Sequence, residues 1–212
     1  MPDGSAMTVH TSNTGSMLGL SEPGMRVWLR DTQSETRKYR YAWEMCEPQT
    51  GNFVGVHTGL VNQLVAEAID NGTLKQLQGY ERRQQEIRYG TEQSRIDLLL
   101  TCPDRRPCFV EIKNVTAIAE KNIAIFPDAV TTRGQKHLRE LIHVTQTGQR
   151  AVLFFCVQRT DVVAFRPARE IDPVYADYLQ LAADAGVEIY AYKAIVAPNQ
   201  ITLHQSIPVQ II

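Results

Sequence analysis

The most constraining feature of this 212-residue chain is a pair of apolar runs folded around one turn. Residues 95–101 are almost continuously apolar, with Asp97 set into them. Residues 108–115 form the second run, and Pro103-Asp104-Arg105-Arg106-Pro107 separates the two. Proline and aspartate preset a chain reversal, so an antiparallel hairpin is predicted. Residues two apart share a face of a strand. Glu111 and Lys113 therefore point one way, and Val110 and Ile112 the other. A turn centred near Asp104 brings Asp97 opposite Glu111 to within about one residue of register. Two carboxylates and an ammonium would then meet on one patch of an apolar sheet.

Such a patch is expensive to bury. Desolvating a charge costs several kcal/mol even after relaxation, and neighbouring carboxylates repel, which raises one pKa. A hard divalent cation relieves both. Mg²⁺ takes oxygen ligands at about 2.0–2.1 Å and keeps part of its water shell; Mn²⁺ is the alternative. Asp97, Glu111 and the carbonyl of Ile112 are the expected ligands. Lys113 would orient or deprotonate a water, or neutralise charge on the phosphorus centre. The pattern points to a metal-dependent phosphodiesterase with Asp97, Glu111 and Lys113 as its catalytic set. Glu-x-Lys alone is a weak motif, and a solvated strand edge with a surface ion pair is the competing reading. On pattern alone the two stand level, although the apolar flanks disfavour the second.

The rest of the chain supplies the context. The first 55 residues are turn-rich; residues 7–11 and 25–29 read as short strands, with Pro23-Gly24 a turn between such segments. Residues 37–43 and 52–56 complete a small β unit. Thr58 is expected to cap a helix over residues 59–70, with Leu60, Leu64, Val65, Ala68 and Ile69 on one face and Asn71-Gly72 at its end. This places a domain boundary between residues 1–57 and 58–212. A strand over 85–89 precedes the hairpin. A long helix runs from Thr131 or Thr132 to Thr147 and is closed by Gly148. Residues 151–157 read as a strand buried on both faces. Asp172-Pro173 opens a helix that ends near Ala185-Gly186, and residues 187–196 and 201–203 read as further strands. The fold class is α/β, a mixed sheet with helices packed on it.

Composition excludes some classes. No apolar run approaches a membrane span, and Met1-Pro2-Asp3-Gly4-Ser5 has neither the basic nor the apolar region of a secretory signal. A cytoplasmic location and no membrane partner are expected. The chain has four cysteines and no Cys-x-x-Cys, which argues against a zinc knuckle. Cys102 and Cys108 could meet across the hairpin, but reduced thiols are expected in that compartment. The net charge of -1 counts against a protein coated in positive charge. Contact with nucleic acid must come from local patches or from a bridging metal.

Several segments together carry a family likeness. They are Ser12-Asn13-Thr14-Gly15-Ser16-Met17, Arg37-Lys38-Tyr39, Gly90-Thr91-Glu92-Gln93-Ser94-Arg95-Ile96-Asp97, Val110-Glu111-Ile112-Lys113-Asn114-Val115-Thr116, Phe126-Pro127-Asp128-Ala129-Val130, Arg133-Gly134-Gln135-Lys136-His137-Leu138-Arg139-Glu140-Leu141 and Gly148-Gln149-Arg150-Ala151. In this order they resemble the sugar fermentation stimulation protein A family over nearly the whole chain. The resemblance implies an OB-like β-barrel followed by a restriction-endonuclease-like domain of the PD-(D/E)xK superfamily. It also implies DNA binding with little sequence preference and a regulatory role in sugar (maltose) metabolism. Nuclease activity is suggested by fold and site rather than being the family's defining property. The superfamily's metal and catalytic positions fall on Asp97, Glu111 and Lys113. Members usually begin earlier, with a basic strand of the barrel, so either the barrel here is open or the start codon is misassigned.

Supporting residues follow. Arg133, Lys136, His137 and Glu140 form a polar stripe on the long helix. By periodicity alone it is an ordinary wet face; with the resemblance, Arg133, Lys136 and His137 become expected DNA contacts and Glu140 a weaker candidate. Glu67 on the first helix could join the metal shell or remain a surface glutamate, and Glu86 is a weaker candidate for the same role. Arg37, Lys38 and Arg40 alternate with Tyr39, Tyr41 and Trp43, cations for phosphate and rings for unpaired bases; the competing reading is a hairpin with one wet face. His10, His57, His143 and His204 are isolated and receive no role. Three functions compete: a Mg²⁺-dependent DNA phosphodiesterase, a non-catalytic DNA-binding regulator, and a carbohydrate enzyme, for which no sugar-site signature is present. The oligomeric state stays open, a homodimer included.

Overall fold

A computed structural model describes residues 5–49 and 51–211. Met1 to Gly4, where the end of a barrel strand was expected, lie outside them.

The architecture is built around the most apolar strand. It is flanked by β6 (Arg105–Val115) and β11 (Glu188–Ala197), and is itself β9 (Arg150–Val157). β9 runs parallel to both neighbours. Its side chains alternate between two cores. Val152, Phe154 and Cys156 pack with α1 (Val61–Asp70), while Ala151, Leu153, Phe155 and Val157 pack under α2 (Thr132–Gln146) and α3 (Pro173–Asp184). A strand with helices on both faces has no wet side, which explains the unbroken apolar run. Each fully buried Phe contributes about 1.5–3 kcal/mol in transfer terms.

β4 (Arg82–Tyr89), β5 (Ser94–Cys102) and β12 (Gln200–Ile207) complete a six-stranded mixed sheet in the order β12-β11-β9-β6-β5-β4. The predicted hairpin is β5–β6, with Cys102 paired to Arg105 across a turn tighter than expected. The four cysteines are free thiols, and Cys108 lies opposite Leu100 rather than Cys102.

The N-terminal part gives a three-stranded antiparallel sheet of β1 (Arg26–Asp31), β2 (Tyr41–Gln49) and β3 (Asn52–Gly55). The strand expected over residues 7–11 reduces to a single bridge, His10 to Ala42. Thr58 is not a helix cap. It lies in a 3-10 turn (Thr58–Leu60), where its hydroxyl donates to the Ser12 carbonyl at 2.8 Å and its amide donates to Ser12 Oγ at 3.1 Å. α1 begins three residues later, without a side-chain cap. The caps expected at the other two helices are present: Thr131 accepts from the Gly134 amide and Asp172 from the Tyr175 amide.

One sheet has no counterpart in the sequence reading. β7 (Ile118–Ala119), β8 (Ile123–Phe126) and β10 (Ala164–Pro167) form a small three-stranded sheet beyond the end of β6. Its members are two to four residues long, too short for periodicity to reveal.

Candidate metal and nucleic-acid site

The ladder between β5 and β6 runs to Leu98, paired with Val110. One step further along lie Asp97 and Glu111, and there β5 leaves β6. β6 continues through Lys113, Asn114 and Val115, paired only with β9. A strand that outlasts its neighbour has amides without ladder partners, and a buried amide must find one. Asp97 supplies it: its Oδ2 accepts from the Ile112 amide at 2.7 Å, and its Oδ1 accepts from Asn62 Nδ2 at 3.3 Å. The acid is thus fixed at the fork of two strands.

Glu111 is 2% exposed. One of its oxygens, Oε1, is held by Lys113 Nζ at 2.7 Å and by Nδ1 of His137, which reaches in from α2. Nε2 of His137 accepts from Arg133 Nε at 3.5 Å, so the Nδ1 proton is directed at the carboxylate. The other oxygen, Oε2, is buried without a hydrogen-bond partner. Leaving such a group unmet costs about 1–3 kcal/mol, more when it is charged. Burial and the nearby Glu111 charge push the Asp97 carboxyl up to about 6, against the pull of the Ile112 amide, Lys113 and Asn62. For Glu111 burial acts upward too, but the Lys113 ammonium and the His137 contact outweigh it, and its pKa is lowered.

These groups lie in a cleft of about 350 Å³. The end of β6, from Glu111 to Ala117, forms one side. Phe126 and Asp128 form another, with Arg133 and His137 above them. The remaining rim comes from the N-terminal segment, Asn13, Thr14 and Gly15. That segment is latched by Asp128, which accepts from Ser16 Oγ and from the Met17 amide. A side chain at Gly15 would meet the Asp128 carboxylate at 2.7 Å. The residues that make this rim carried no role in the sequence reading. Their segments carried only the family likeness, and the latch itself joins residues more than a hundred positions apart, which no local pattern shows.

The other candidates divide. Asp97, Glu111, Ile112, Lys113, Arg133 and His137 share the cleft. Glu67 does not: it is exposed, pairs with Gln63 at 2.8 Å, and lines a different groove beside Trp28 and Ile201. On α1 it is Asn62 that reaches the acids. Glu86 is exposed on the edge strand β4. His137, expected among the DNA contacts, is 5% exposed and engaged with Glu111; its task is inward. Glu140 is buried as well, accepting from the Thr91 and Glu92 amides at 3.0 and 2.6 Å. The polar stripe of α2 is therefore half interior, with Arg133 exposed and Lys136 partly so. Among the described residues no group of three or more His, Cys, Asp or Glu is arranged to hold a metal. The cleft offers two carboxylates and the Ile112 main chain.

In the N-terminal part, Arg37, Lys38 and Tyr39 line a groove with His10, Arg30 and His57. The Lys38 ammonium lies 5.2 Å from the Tyr39 ring centroid. Arg40 is instead committed to Asp31 by a bidentate pair, with its closest approach 2.6 Å.

Residues 59–200 match the family model described as the sugar fermentation stimulation protein RE domain, and residues 2–56 match the SfsA N-terminal OB domain. The chain belongs to the sugar fermentation stimulation protein family. Among curated members, a homolog from Geobacter sulfurreducens is 50% identical over 99% of this chain and 88% of its own length. One from Shewanella loihica is 46% identical over 100% and 90%. The solved structure of Pyrococcus furiosus SfsA in complex with Ca2+ superposes with a TM-score of 0.88 at 28% identity, covering 98% of this chain and 87% of that one. The family's α/β fold with an OB-type N-terminal domain is thus this chain's fold. Among the described residues, no helix is long and apolar enough to cross a membrane.

Proposed function

We propose that this protein is a DNA-binding phosphodiesterase of nuclease type that works with a divalent cation, Mg²⁺ or Mn²⁺. The observation that carries the proposal is the orphaned Glu111 Oε2, buried beside an Asp97 whose pKa is raised. A cation fits this donor set, because it would take the unmet oxygen and lower the mutual repulsion of the two acids. The Ca²⁺ complex of the Pyrococcus furiosus relative supports a divalent ion. Asp97, Glu111 and the Ile112 carbonyl would hold it, and it would supply Lewis-acid polarisation of a phosphoryl oxygen. Lys113, 11% exposed at its side chain and already touching Glu111, stands to donate to the charge that develops on phosphorus. Arg133, exposed at the cleft rim, and Lys136 would grip flanking phosphates. His137 orients Glu111 by its Nδ1 proton.

Incubating the protein with DNA and Mg²⁺ or Mn²⁺ tests the proposal. Cleavage by wild type that is lost in Glu111→Gln and Lys113→Ala is the expected result. Absence of cleavage by wild type, or equal cleavage by the variants, rejects it.

One observation favours the second reading, a non-catalytic DNA-binding regulator of sugar (maltose) metabolism genes. Glu111 Oε1 already has the Lys113 ammonium as a charge partner and the His137 ring as a hydrogen-bond donor. On that reading DNA binding is salt-sensitive, survives Glu111→Gln and shows no dependence on metal. Cytoplasmic location belongs to both readings. Assembly as a homodimer is measurable by sedimentation.

A further inference from the structure

We infer that the cleft takes an unpaired DNA strand rather than a duplex, and that the strand reaches it along the Arg37–Lys38–Tyr39 groove. The inference rests on the reading of the cleft as a phosphodiester site and goes on to name its substrate class.

The size and walls of the cleft come first. At about 350 Å³ it lies near the lower end of small-molecule sites, roughly 300–1,000 Å³. Glu111 sits at its floor with 2% of its surface exposed. A rim stands on the N-terminal side, where Asn13, Thr14 and Gly15 are held by the Asp128 latch and by the Thr58–Ser12 bonds. A duplex is stiff over roughly 150 bp, so lowering one of its phosphates into the notch demands a deformation of the helix. A single strand bends at every nucleotide and can lower one phosphate to the acids.

The approach comes second. His10 and His57 line the basic groove, while Asn13 and Thr58 line the cleft. Two short stretches of chain, 10–13 and 57–58, therefore form the divide between them. Three residues span at most about 10 Å, about three steps of stacked nucleotides at 3.4 Å each. Arg37 and Lys38, in the loop between β1 and β2, form no ion pair among the described residues, in contrast to Arg26 and Arg30 of β1 and to Arg40 of the same loop. Two cations without an ion pair, Lys38 resting over the ring of a half-buried Tyr39, are the parts of a single-strand track, where phosphates are neutralised and a base stacks on the free side of the ring.

The test is fluorescence anisotropy of a labelled oligonucleotide of mixed sequence, alone and annealed to its complement, with the full-length protein in Ca²⁺ and again in EDTA. Cleavage in Mn²⁺ is scored in parallel on both forms. The unpaired strand should bind about tenfold more tightly than the duplex, a gap near 1.4 kcal/mol. Tyr39→Ala and the Arg37→Ala/Lys38→Ala double variant should each narrow that gap, and neither alters the carboxylate cleft. Equal or tighter duplex binding overturns the proposal, as does a gap that both variants leave unchanged. The outcomes separate the two readings. Strand-selective binding without cleavage leaves the track standing and removes the catalysis. Duplex cleavage as fast as single-strand cleavage keeps the catalysis and removes the track.

Discussion

At the scale of single residues, His137 carries the most information per atom. It is a buried ring with one nitrogen on an acid and the other toward an arginine. Partners that orient a ligand are typically worth 10–100-fold in metal affinity. His137→Ala is therefore expected to weaken Mn²⁺ binding by about that range in a calorimetric titration. His137→Gln, which can still donate to Glu111, should recover part of it. Unchanged affinity in the alanine variant would remove the orienting role. Gly90 is a second such position. Its φ is +71°, and a Cβ there would collide with the Glu140 carboxylate. The left-handed conformation alone costs a substituted residue about 1–2 kcal/mol, so Gly90→Ala should lower stability by at least that much in urea unfolding. The acids and the lysine were legible in the sequence because a strand's two-residue period fixes which side chains agree. His137 and Glu140 were misread for a related reason. A helical period shows which residues share a face, but not whether that face meets water or a sheet.

At the scale of elements, the strongest sequence signals were the ends of α2 and α3 and the apolar runs of the large sheet, and these survive in the structure. Thr131, Asp172, Gly148 and Gly186 punctuate α2 and α3 by local chemistry. Thr58 failed as a cap because its hydroxyl found a tertiary partner in Ser12. β7, β8 and β10 were illegible because pairings between short segments distant in sequence leave no local period. Asp172 does more than cap α3. Besides the Tyr175 amide it accepts from the Thr131 amide and from Gln135, joining the starts of two helices. Burial acts to raise its pKa, but these donors outweigh that and hold it below the usual aspartate value. A lowered folded pKa gives stability that is fully present above the unfolded value of about 3.9 and is lost as pH falls through the folded one. Asp172→Ala should cost about 1–2 kcal/mol at neutral pH. That deficit should shrink when urea melts are repeated in strong acid, and a constant deficit would sink the assignment.

At the scale of the whole molecule, the two parts share a core. Met45 of β2 belongs to the apolar cluster built on α1 and β9, with Trp28 and Phe53 packed against it. The Gly55 amide donates to the Gln158 carbonyl at 3.0 Å just past the end of β9. Both tryptophans of the chain, Trp28 and Trp43, lie in the N-terminal sheet. Their fluorescence and far-UV circular dichroism should therefore give one coincident unfolding transition. Two separate midpoints would mean that the parts melt independently. The same interdependence bears on how the protein is made. Ser16 leaves the ribosome early, but the oxygens that fix it belong to Asp128, 112 positions later. During synthesis from the N-terminus, the mouth of the cleft stays unfinished until most of the chain has emerged, so that mouth can take its final shape only late in translation.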